Sequence, residues 1–370
     1  MLKDILFRAN LCRIVAVVSL LSLPLPSFAI TLTLPTDGSN VIGQMGTTQI
    51  EPGETLADIG RRTDMGLLEL IEANPKIHPW RPKTGTVVII PSHFVLPPGP
   101  HEGIVINLPE LRLYYYHQGS NKVSTFPLAI GKLGWGTPVA NTKIVDKKED
   151  PYWIVPDSIL AEKAASGVHG FPKIIPPGPK NPLGKYAIRL GLNGYLIHGT
   201  NLKGGIGSRV SHGCMRMQPK DIETLFNFVS VGTTVRIIHE PYKLGFENGD
   251  IYLEAHKPLT EELPFTLDGN SIVRSTLTKM GQNNAEIQWH MVQQVSQQQN
   301  GWPVVIGHYS AEDMMHYSFV ETPGNQKLTP IQTQMSYKYT QNMKTPIKAQ
   351  PIQAPKIMSK RTFVIDSGGI

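Results

Sequence analysis

A mainly β fold with small α+β accessory parts is the class this sequence predicts, and three observations predict it. Glycine and proline are abundant, 34 and 31 of 370 residues, which suits short strands and tight turns better than a helical bundle. Between residues 102 and 240, β-branched and aromatic residues recur in short runs (GIVINL, LRLYYYH, KVSTFPLAIG, KYAIRLGL, YLIHGT) with turn residues between them. Helical patterning is confined to short stretches on either side of these runs and to two segments among them. The architecture expected is a β-sandwich or barrel-like central domain over 102–240. A small βααβ domain precedes it at 40–97, and a hairpin subdomain follows at 241–307.

The chain opens with MLKDILFRANLCR, carrying Lys3, Arg8 and Arg13, followed by the apolar run IVAVVSLLSL and by small residues at Ser27 and Ala29. This reads as a secretory signal peptide over 1–29, too short for a comfortable membrane span. Cys12 lies before the apolar run, so it is not placed for lipidation. Removing the leader takes Lys plus Arg from 35 to 32 and Asp plus Glu from 29 to 28, so the net charge falls from +6 to +4. That excess is too weak to argue for a nucleic-acid partner. No later apolar run reaches spanning length, so the mature chain is expected to be exported with no membrane span.

Residues 49–91 open with Pro-Gly-Glu-Thr, with Thr55 as a helix cap and Leu56 and Ile59 on one face. A second helix is expected at Leu67–Ala73, stopped by Asn74-Pro75, and a strand at Val87–Ile90. This βααβ pattern, with GETL and EAN, resembles a LysM domain, which implies binding to the glycan of peptidoglycan. Residues 92–102 read as a Pro-rich hinge. In the central domain Leu111, Leu113 and Tyr115 alternate with Arg112, Tyr114 and Tyr116, and the aromatic trio reads as a sheet surface. Short helices are expected at Ser158–Ser166 and Pro219–Phe228, and a final strand at Thr233–His239. Asn248-Gly249 marks a hairpin, Thr276–Gln299 a helix and Pro303–Ile306 a short strand. Beyond Thr322 the chain is rich in Gln, Pro and Lys, with seven basic residues against Asp366 alone, and 322–370 reads as a disordered basic tail.

Cysteine usage is the sharpest compositional fact. Exported domains usually pair their cysteines, yet the mature chain keeps Cys214 alone, within VSHGCMRMQ. A thiol becomes a nucleophile when a base or a positive environment makes it thiolate. Two histidines are candidate bases. His198 ends the apolar strand YLIH, where a side chain is rigidly held. His212 is close in sequence and shares a face with Cys214 only if the backbone through Gly213 stays extended. Three readings are open on local chemistry: Cys-His acyl transfer with a backbone oxyanion hole, a zinc site built from His198, His212 and Cys214, or a buried core thiol and packed histidine.

The pairing of HGT with SHGCMR resembles the signature of the L,D-transpeptidases. The likeness extends through IVINLPELRLYYY, GTPVANTKIVDKKEDPYWIVP and PPGPKNPLGKYAIRLG, covering about residues 40–306, and points to the periplasmic Gram-negative branch. The resemblance implies a peptidoglycan transpeptidase with no metal and no cofactor. Cys214 is then the nucleophile, His198 the general base and later acid, and the Gly199 carbonyl the group that orients its ring. The backbone of His212, Gly213 and Cys214 forms the oxyanion hole, and Ser211 and Arg216 position the substrate. The donor is a tetrapeptide stem that loses its terminal D-alanine. The acceptor is an amine of a second stem or of an envelope protein such as an outer-membrane lipoprotein, and water in its place would make the enzyme a carboxypeptidase. A non-catalytic wall-binding protein is the reading that intact His198 and Cys214 oppose. Met215, Met217 and the long tail depart from the family pattern.

Overall fold

The strand runs of the central domain assemble into one nine-stranded mixed sheet. In spatial order its strands are Ile30–Thr33, Lys122–Pro127, Arg112–Tyr116, Gly103–Asn107, Thr234–Ile238, Ala140–Glu149, Tyr186–Leu190, Leu196–His198 and Met215–Arg216. Most neighbours are antiparallel, but Thr234–Ile238 runs parallel to Gly103–Asn107, and Met215–Arg216 runs parallel to Leu196–His198. The last strand turns back on the segment that follows the second: Ala129 and Arg216 exchange both backbone hydrogen bonds at 2.8 Å. The sheet thereby curls nearly closed around a core that includes Ile106, Leu113, Phe126, Ile188, Ile197 and Met215, all fully buried. This is the mainly β, barrel-like class that the turn-rich composition predicts. The computed structural model describes residues 30–309 apart from Lys203, 260–267 and 282–283. The leader expected at 1–29 and the tail expected at 322–370 lie outside the described residues.

Before the central domain, strands Gly46–Gln49 and Val87–Ile90 pair antiparallel around two helices, α1 (Leu56–Thr63) and α2 (Leu67–Ala73). Thr55 caps α1 in a reciprocal box: its hydroxyl accepts from the Asp58 N–H at 3.2 Å, and Asp58 accepts from the Thr55 N–H at 2.8 Å. Leu56 and Ile59 point into a second core that the βααβ segment shares with the sheet's other face, where Val105, Tyr114, Tyr116 and Ile238 lie. This sharing corrects two expectations. Strand Arg112–Tyr116 is buried on both sides, Leu113 and Tyr115 facing one core and Tyr114 and Tyr116 the other, so the aromatic trio is not a sheet surface. Residues 92–102 are no hinge either. His93–Val95 pairs with strand Val41–Gly43, Phe94, Val95 and Leu96 are buried, and Arg236 donates to the Pro98 and Pro100 carbonyls at 2.6 and 3.2 Å.

Polar contacts weld the same junction. Arg112, fully buried, forks onto the Glu69 carboxylate of α2 (Nε to Oε1 2.7 Å, Nη2 to Oε2 2.9 Å) and donates to Thr125 Oγ1 at 3.1 Å. The backbone N–H groups of Leu67 and Leu68 donate to the Ile206 and Gly207 carbonyls at 3.1 and 3.0 Å. Gly207 sits at φ +74° with Gly66 so close that a Cβ there would fall 2.2 Å from its Cα. The loop joining His198 to Cys214 is therefore held by α2.

After the central domain, strands Tyr242–Glu247 and Asp250–Ala255 form a hairpin through Asn248 and Gly249, both at positive φ (52° and 85°), as a type I′ turn demands. Val304–His308 and Glu286–Ile287 extend this sheet. Helix α3 (Asp157–Ala165) and α4 (Pro219–Phe228) belong to the central domain. In place of the single helix expected at 276–299, the subdomain has α5 (Gly269–Met280) and α6 (Trp289–Gln298), because Gly281 caps α5 in the left-handed region at φ 72°. Lys243 ties the parts together: its Nζ donates to Glu110 and Glu254 at 2.8 Å each and to the Val95 carbonyl at 2.6 Å, with all three side chains buried. Among the described residues no helix is long and apolar enough to cross a membrane.

Candidate active site

Strand Leu196–His198 lies between Tyr186–Leu190 and Met215–Arg216, in register Ile197 to Met215 and His198 to Arg216. Paired residues of parallel strands point to the same face and successive residues alternate. Ile197 and Met215 enter the core. His198, Arg216 and Cys214, the residue before the last strand, therefore share the opposite face. The register thus puts this histidine and the thiol on the same face, His198 ending one strand and Cys214 preceding its neighbour.

His198 is buried, and its Nδ1 lies 2.7 Å from the Gly199 carbonyl oxygen. A carbonyl only accepts, so Nδ1 carries the proton and Nε2 of the neutral ring keeps its lone pair. Burial, followed by the Arg216 charge, lowers the imidazole from 6.5 to about 4, against smaller upward pulls from the Gly199 and Leu183 carbonyls. At neutral pH the ring is uncharged. Burial also pushes the Cys214 thiol up, opposed by the Leu196 N–H and by Arg216. The S–H group faces the Gly194 carbonyl at 3.5 Å. The resting pair is thus a neutral thiol and a neutral imidazole, not an ion pair.

The turn carrying the thiol is held from several directions. Gly213 sits at φ +100°, closed to ordinary side chains, and a Cβ there would press on the Tyr195 ring at 3.1 Å. Ser211 donates its hydroxyl to the Cys214 carbonyl at 2.5 Å, and the buried Thr137 donates to the Gly213 carbonyl at 2.7 Å. With the carbonyls so engaged, the turn is fixed as a unit. The kink at Gly213 breaks the extended path that would align His212 with Cys214. The His212 ring instead reaches Glu162 of α3 (Nε2 to Oε2 2.6 Å) and stands edge-on to Trp135, centroids 4.9 Å apart. Arg216 is half-buried beside the thiol, its Nε without a hydrogen-bond partner, and burial lowers its pKa.

His198, His212 and Cys214 do not converge as a ligand set. The grouping with metal-binding spacing among the described residues is Glu110, Glu254 and His256, and the Lys243 ammonium already bridges its two carboxylates. Thr137, Lys132, Trp135 and Glu162 escaped the sequence reading. They lie 50 or more residues from the turn they hold, and no local pattern marks them.

Fold and site together define a barrel-like protein with a histidine and an isolated thiol on one sheet face. Residues 101–237 match the L,D-transpeptidase catalytic domain family called YkuD. The probable L,D-transpeptidase YbiS of Escherichia coli is 46% identical over 256 residues, covering 68% of this chain and 82% of that protein. The probable L,D-transpeptidase YcfS of the same organism is 42% identical over 284 residues, 73% and 88% of the two chains. Among solved structures, the catalytic domain of an Enterococcus faecium L,D-transpeptidase aligns with 37% of this chain and 96% of its own at 22% identity and a TM-score of 0.28. The chain belongs to the L,D-transpeptidase family, and it is an enzyme of acyl transfer.

Proposed function

We propose that this enzyme acts on peptidoglycan in the periplasm, after loss of residues 1–29, through a thioester on Cys214. The observation that carries the reading is the shared face of His198 and Cys214, with the imidazole proton fixed on Nδ1 by Gly199. Cys214 Sγ attacks the carbonyl of the third residue of a tetrapeptide stem while His198 Nε2 takes the thiol proton. Backbone N–H groups of the His212–Cys214 turn receive the oxyanion, the family's usual device for a tetrahedral intermediate. Collapse breaks the peptide bond, and the proton passes from His198 to the departing D-alanine amine. An acceptor amine then attacks the thioester, His198 takes its proton, and the Cys214 thiol is restored. Arg216 and the turn-holding Ser211 are assigned to substrate positioning. The acceptor is an amine of a second stem or of an envelope protein, and the βααβ domain is assigned to glycan binding as a LysM-like module.

The test is intact-protein mass spectrometry with a tetrapeptide donor. The protein should gain the donor mass less D-alanine, mapped to Cys214 and absent from Cys214→Ala. Continued D-alanine release by a folded Cys214→Ala protein would sink the thioester mechanism. Adding single amines to the acylated enzyme then identifies the acceptor class.

A further inference from the structure

Two side chains able to bind an anion, one of them two residues before the thiol in the chain, share one carboxylate. Lys132 Nζ donates to Glu162 Oε1 at 2.8 Å, and His212 Nε2 donates to Glu162 Oε2 at 2.6 Å. His212 belongs to the nucleophile turn, and Lys132 is hydrogen-bonded to it. The Lys132 N–H bonds the Ser211 carbonyl at 2.9 Å, and His212 lies two residues before Cys214, braced by Trp135. The acceptor comes from elsewhere, on α3, of which Ile159 is the one buried residue. Lys132 and then His212 hold the Glu162 carboxyl down at about 2, so it is an anion throughout the working range.

Magnitude decides what this arrangement can do. The Lys132 and Glu162 side chains are 37% and 41% exposed. An ion pair that open changes an equilibrium by about fivefold at most. A second carboxylate, arriving on a ligand, can therefore replace Glu162 at little cost, whereas an uncharged group cannot. Charge-assisted hydrogen bonds from two converging donors also discriminate acid from amide.

We propose that Lys132 and His212 form a subsite for the carboxylate of the donor's leaving residue, and that Glu162 is its resident occupant when no donor is bound. The inference rests on the transpeptidase reading in one respect, that the donor ends in a free carboxylate next to the scissile bond. Donor binding exchanges Glu162 for the substrate carboxylate and frees α3 from the turn. When the peptide bond breaks, that carboxylate leaves with the expelled amino acid. Glu162, tethered nearby at high effective concentration, then reoccupies the donors and opposes rebinding of product.

The experiment is calorimetric titration of the Cys214→Ser protein, which cannot turn over, with a tetrapeptide donor and with the same peptide amidated at its C-terminus. The acid should bind about two- to fivefold tighter than the amide. Lys132→Met should abolish that preference and Lys132→Arg should retain it. Glu162→Gln should tighten the acid by about two- to fivefold and leave the amide unchanged, and in the active enzyme it should lower KM without lowering kcat. Equal binding of acid and amide by the parent overturns the subsite, as does weakening of both ligands alike by Glu162→Gln, the outcome for a structural latch. Acylation of Cys214 by both peptides at equal KM would sink the subsite alone. Failure of both peptides to bind or acylate would sink the transpeptidase reading with it.

Discussion

Replacing Arg112 by Met tests whether the βααβ domain is a structural part of the enzyme. The guanidinium is fully buried, forked onto Glu69 at 2.7 and 2.9 Å, bonded to Thr125, and 4.6 Å above the Phe94 ring. Methionine fills much of the volume but leaves the Glu69 carboxylate almost wholly buried, with the Gly66 N–H as its remaining donor. Removing one partner of such a pair costs about 3–5 kcal/mol, chiefly for the stranded charge. At about 2–4 °C per kcal/mol for a chain of this size, melting should fall by roughly 6–20 °C. Differential scanning fluorimetry measures this, and Arg112→Met/Glu69→Leu should recover most of the loss, because an apolar pair leaves no charge buried without its partner. Since α2 also holds the loop between His198 and Cys214, the single variant should lose acylation rate below its melting range as well. A fall under about 2 °C, or a double variant less stable than the single, would refute the reasoning.

Three further outcomes follow from the same contacts. Burial holds the folded His198 near 4 against 6.5 unfolded, so the unfolded chain binds more protons between those values and stability declines as pH falls from 6.5 towards 4; acylation should correspondingly persist below pH 6 and fail near 4, and a limb at 6.5 would contradict a buried neutral base. Gly207→Ala, at φ +74° against the Gly66 backbone, should shift the 199–212 loop and cut acylation by about tenfold or more while secondary structure by circular dichroism is kept, and unchanged rates would show the loop to be independent of α2. A chain beginning at Pro98 exposes Val105, Tyr114, Tyr116 and Ile238 and should be insoluble or molten in ANS binding, whereas a soluble, active fragment would return the βααβ domain to the status of a tether.

What could be read in advance was whatever local chemistry dictates. Thr55 marks a cap, Asn248-Gly249 a type I′ turn and Pro219 the first turn of α4, each through a constraint that acts within a few residues. The isolation of Cys214 and the strand ending at His198 are likewise visible in the chain. The other face of strand Arg112–Tyr116 was not, because alternation shows that two faces differ but not that a second domain covers one of them. The same blindness made 92–102 look like a hinge: its prolines are local, while the burial of Phe94 and Leu96 depends on partners elsewhere. Glu162 and Thr137 follow the same logic. Each touches the nucleophile turn from more than 45 residues away, through a single polar contact that no periodicity announces.

The lone thiol can be understood from the charge state of its surroundings. A thiolate–imidazolium pair would be the more reactive resting state, yet burial here raises the thiol and lowers the histidine, so that both stay uncharged. Oxidants and electrophiles react with thiolate, and the compartment proposed for this enzyme is oxidising. A neutral pair keeps the nucleophile latent until a carbonyl occupies the site and the proton transfer to Nε2 is coupled to carbon–sulfur bond formation. The Gly199 carbonyl holds that transfer ready by fixing the proton already present on Nδ1. Arg216 stabilises the developing thiolate and disfavours the imidazolium, two effects of one charge that oppose each other in the resting pair.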